Sequence, residues 1–68
     1  MFILTDCTVH PRRKYTLNDI KDIGDVVLGM TGDENIAKRA MNDAGILTFG
    51  DAIIANPYYI IECVQEEK

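Results

Sequence analysis

The sequence predicts a small α+β domain: a three-stranded antiparallel sheet with a two-helix hairpin packed on one face, in the order β-α-α-β-β. Three observations predict it. The residues near each end are rich in β-branched and aromatic types, which suit strands. The middle carries apolar residues at three- and four-residue steps behind two helix-start patterns. Asn56-Pro57 divides the last apolar stretch into the two arms of a hairpin.

The length of 68 residues allows one domain. With 47% hydrophobic residues and a net charge of only −4, the chain is too apolar for intrinsic disorder. No apolar run approaches the ~20 residues that a membrane-spanning helix needs. A domain of this size buries only about 60% of the surface of its unfolded chain, so its stability margin is thin.

Taken in order, Phe2 to Val9 reads as a strand that ends at His10-Pro11. Phe2, Leu4 and Asp6 share one side of it, and Ile3, Cys7 and Val9 the other. Thr16-Leu17-Asn18-Asp19 has the spacing of a helix start, with Thr16 as cap. Leu17, Ile20, Ile23, Val27 and Met30 then form one apolar stripe, and this helix is expected to end by Gly32. Thr31 and Glu34 repeat the capping spacing and place a second helix over about 32 to 44, closed by Gly45. Ile46 to Ala55 and Tyr58 to Val64 are the expected hairpin strands, with a bulge or second turn at Gly50-Asp51.

Met1 leads directly into a strand-like run rather than a basic-then-apolar leader, so the expected compartment is cytoplasmic and reducing. Cys7 and Cys63 are then expected as buried thiols. Two cysteines and the single histidine, His10, do not complete a four-ligand metal site, and no cofactor motif is present. No nucleophile, base and orienting group fall into a catalytic pattern. The glycines of Gly29-Met30-Thr31-Gly32-Asp33 precede a helix but lack the Lys-Ser/Thr of a phosphate loop, and read as an interhelical turn. The sequence therefore points away from an enzyme.

Charge is unevenly spread. Arg12, Arg13 and Lys14 form the one basic cluster, and outside it 11 acidic residues face 4 basic ones. An acidic chain repels phosphate, so nucleic acid is an unlikely partner. The alternative is a winged-helix-like DNA binder in which the second helix, through Asn35, Lys38, Arg39 and Asn42, reads bases and Arg12, Arg13 and Lys14 support it. In the opposite sense, Asp19, Asp22 and Asp25 recur every three residues on the first helix and offer an acidic side to a basic protein.

The last strand carries the most weight. Tyr59, Ile61 and Cys63 lie on one side, while Tyr58, Ile60 and Val64 lie on the other with Glu62. A strand with one wet side should alternate apolar and polar residues. Either the chain folds over the second side or a partner covers it. The expected function is a non-enzymatic protein-binding module, with a homodimer as one form it can take, that uses Tyr58, Ile60 and Glu62 first and Asp19, Asp22 and Asp25 second. Its size and charge suit an inhibitor or accessory protein of phage or mobile-element type.

Overall fold

The computed structural model describes residues 1–65. Its elements are β1 (Phe2–Asp6), β2 (Arg13–Leu17), α1 (Ile20–Thr31), α2 (Glu34–Ile46), β3 (Ala52–Ala55) and β4 (Tyr59–Cys63). They form a four-stranded antiparallel sheet in the order β2-β1-β4-β3, with the helices on one face. The α+β class and the helix pair on one side of an antiparallel sheet agree with the sequence. The strand count and element order do not: the order is β-β-α-α-β-β.

The extra strand is β2. Arg13 to Leu17 pairs with β1 from Phe2↔Leu17 to Asp6↔Arg13. Thr16 is therefore a strand residue opposite Ile3, not a helix cap, and Leu17 closes the strand rather than opening the helical stripe. Arg13, Tyr15 and Leu17 share the helix-facing side, while Lys14 and Thr16 lie on the other, so the period of two is present. Helix α1 begins after Asp19, whose backbone is extended and whose side chain makes no capping bond.

Gly32 closes α1 in the left-handed region at φ 67°, where its N–H donates to the Leu28 carbonyl. Asp33 caps α2, accepting from the Asn35 N–H at 2.9 Å. Thr31 does not cap it. Its hydroxyl donates instead to the Val27 carbonyl at 2.8 Å, one turn back in α1. The roughly 1 kcal/mol that such a cap contributes thus belongs to Asp33. Gly45 does not end α2, which continues to Ile46, and Leu47 is its C-cap. Consequently β3 is shorter than the expected run from Ile46. Thr48 to Asp51 form a turn, with Gly50 at φ 91°. Both Gly50 and Asp51 bond Cys63 through their backbones, which makes the expected irregularity a bulge against β4.

Leu4, Ile23, Val27, Ala40, Tyr59 and Ile61 are fully buried between the layers, with Ala37 and Ala44 beside them. The small residues of α2 let it lie close to α1. Gly24 does the same from the other side: a Cβ there would sit 2.8 Å from Met41 Cγ. Helix α1 packs over β1 and β2, and α2 over β4. Cys7 and Cys63 are free thiols at opposite ends of the sheet, since Cys63 pairs with Phe2 while Cys7 follows Asp6.

Candidate functional site

The register fixes which side chains share each face. On the helix-covered side lie Phe2, Leu4 and Asp6 of β1 with Tyr59, Ile61 and Cys63 of β4. Tyr59 is wholly buried there, and its hydroxyl donates to Asp43 Oδ2 at 2.6 Å. Burial, and then that bond to a carboxylate, push the Tyr59 pKa well above the ordinary tyrosine value. Asp6 is also buried, and its Oδ1 accepts from both the N–H and the hydroxyl of Thr8. This pair closes the start of the β1–β2 loop, an Asx-type turn.

The opposite face has no element over it among the described residues. It presents two rows across the four strands. One is Lys14, Thr5, Ile60 and Ile54; the other is Thr16, Ile3, Glu62 and Ala52. Ile54 is 67% exposed, whereas Ile3 and Ile60 are half-buried by their strand neighbours. Ile3 and Ile60 are diagonal neighbours on the two inner strands, with Thr5 and Glu62 beside them, and Ile54 extends this aliphatic patch to the β3 edge. Among the described residues, Lys14 and Glu62 supply the charges of the two rows. Exposed aliphatic patches bordered by polar groups are surfaces on which protein contacts form.

The residues singled out from sequence do not gather in one place. Ile60 and Glu62 lie on the open face. Tyr58 precedes the strand, in the turn, where its N–H donates to the Ala55 carbonyl and its carbonyl accepts from the Cys7 N–H. It lines a cleft of about 370 Å³ with Ile36, Arg39, Ala55 and Asn56. Asp22 and Asp25 are exposed on α1, across the sheet from the open face, and Asp19 is exposed at its N-cap. One flat partner surface does not reach both groups.

The basic residues are equally divided. Arg12, Arg13 and Lys14 are exposed at the β2 side of the molecule, while Lys38 and Arg39 are exposed on α2, which packs over β4. His10 is exposed in the β1–β2 loop. The sequence reading missed Ile3 and Ile54 as surface apolar residues. Ile3 was visible as the neighbour of Leu4 on the other side of β1, but only the β1–β4 register places it beside Glu62. Ile54 sits in the uniform run Ala52-Ile53-Ile54-Ala55, where no polar alternation marks a side.

No helix is long and apolar enough to cross a membrane among the described residues. No protein-family model, curated protein or solved structure matches the chain.

Proposed function

We propose that the chain is a non-enzymatic protein-binding module whose contact surface is the open face of its sheet. The observation that carries this reading is the aliphatic patch of Ile3, Ile60 and Ile54, which runs across that face from β1 to the β3 edge. Left in water, such a surface forgoes roughly 25 cal/mol for each Å² of apolar area that a partner would cover. The partner is a different protein with an apolar patch of matching size. Since the chain carries a net charge of −4, a basic rim on that partner speeds the encounter. Glu62, beside Ile3, is the acidic group best placed to meet it. An inhibitor or accessory protein that masks a larger protein fits this chemistry, because such a role needs a surface and no reacting group.

The test is capture from the native host with three baits: the wild-type chain, Ile60→Lys and Asp22→Lys. The reading expects one host protein retained by wild type and Asp22→Lys and lost with Ile60→Lys, all three baits being folded by circular dichroism. Retention by Ile60→Lys together with loss by Asp22→Lys would move the contact to the acidic side of α1.

A further inference from the structure

The two edges of the sheet are built differently. β2 carries Arg13 and Lys14, charges of the kind that keep an edge strand from pairing with another chain. The other edge, β3, reads Ala52-Ile53-Ile54-Ala55, with neither a charge nor a proline. Its outward backbone groups can be identified. The Asp51 carbonyl accepts from the Cys63 N–H at 3.0 Å, so it points toward β4. Polar groups alternate sides along an antiparallel strand. Those of Ile53 and Ala55 therefore face β4, and those of Ala52 and Ile54 point away from the sheet.

We propose that β3 pairs antiparallel with β3 of a second copy, about a twofold axis at Ile54, joining the two sheets into one of eight strands. Ile54 of each copy exchanges both backbone hydrogen bonds with Ile54 of the other, and their exposed side chains meet on the open face. The same register sets Ile53 of one copy opposite Ala55 of the other, on the helix side. There the small Ala55 and Ile36 border the cleft of about 370 Å³. Large therefore meets small at both symmetry-related positions. Asp51 falls opposite Pro57 of the second copy rather than opposite another acid, so no like charges are paired across the junction. The contact is made by the backbone of the edge strand and shares Ile54 with the open face, but not Ile3 or Ile60. Ile60→Lys, which is expected to abolish capture of a different protein, is therefore expected to leave this self-association intact.

A four-residue edge covers less than the roughly 1,200 Å² of a standard stable interface. The dimer is accordingly weak and depends on concentration. Sedimentation equilibrium of the full chain from micromolar to millimolar concentration is expected to show the mass rising from 7.6 kDa toward twice that value. Ile54→Lys is expected to hold it at the monomer mass throughout, and Thr16→Lys, on the opposite edge, to leave the rise intact. A second readout needs no substitution. Amide exchange at Ala52 and Ile54 is expected to slow as concentration rises, while that at Lys14 and Thr16, which point outward from β2, stays fast. A wild-type chain that stays monomeric at millimolar concentration overturns the proposal. So does a dimer whose Ile54 amide exchanges as fast as that of Thr16.

Discussion

Tyr59→Ala is expected to remove a large share of the domain's stability. The side chain has no exposed surface and fills the space between β4 and α2. Truncating a buried aromatic residue costs about 3–5 kcal/mol. At roughly 0.05–0.15 kcal/mol per residue, a chain this short has only about 3–10 kcal/mol to lose. The substitution also removes the donor to Asp43. Tyr59→Phe separates the two contributions. It keeps the ring and loses the hydroxyl, and because Asp43 is half-exposed and can turn to water, a cost of about 1 kcal/mol is expected. Urea denaturation followed by circular dichroism measures both. An alanine variant within 1 kcal/mol of wild type would mean that the layers are held together elsewhere.

Two adjacent isoleucines give the second large effect. Ile61 is fully buried beneath the helices, and Ile60 lies half-buried on the open face. Ile61→Ala is expected to cost about 2–5 kcal/mol, because it leaves a cavity in the core between the sheet and the helices. Ile60→Ala is expected to cost under about 1.5 kcal/mol, since Ile60 is only half-buried and its β3 partner Ile54 is 67% exposed. The same urea titrations compare them. Equal costs would mean that both faces are covered within one copy, and the binding face would then have no basis.

That division was partly legible in the residues themselves. The pattern of β4 separates Tyr59, Ile61 and Cys63 from Ile60 and Glu62, and the structure buries the first set. The helix pair was legible because apolar residues recur at helical spacing in both. Strand β2 was hidden by a competing signal. Thr16 and Asp19 have the spacing of a capping box, and Leu17 fits a helical stripe as well as it fits a strand. Pairing with all five residues of β1 decided the matter in favour of the strand, a contact between segments that a local pattern does not contain. Gly45 misled for a different reason. A glycine ends a helix when it adopts positive φ, which Gly32 does and Gly45 does not. The candidate site was less legible than the fold, because a face is assembled from four strands and depends on their register. Ile60 and Glu62 were found in one strand; Ile3 and Ile54 joined them only through pairing.

The account depends on one sheet face being packed and the other open to solvent within a single copy. Isoleucine methyl relaxation in the presence of a soluble gadolinium chelate, at a dilution that keeps the chain monomeric, reads this directly. Strong attenuation is predicted for the δ1 methyls of Ile54 and Ile60, with those of Ile23 and Ile61 left at background. Equal sheltering of Ile60 and Ile61 would contradict it.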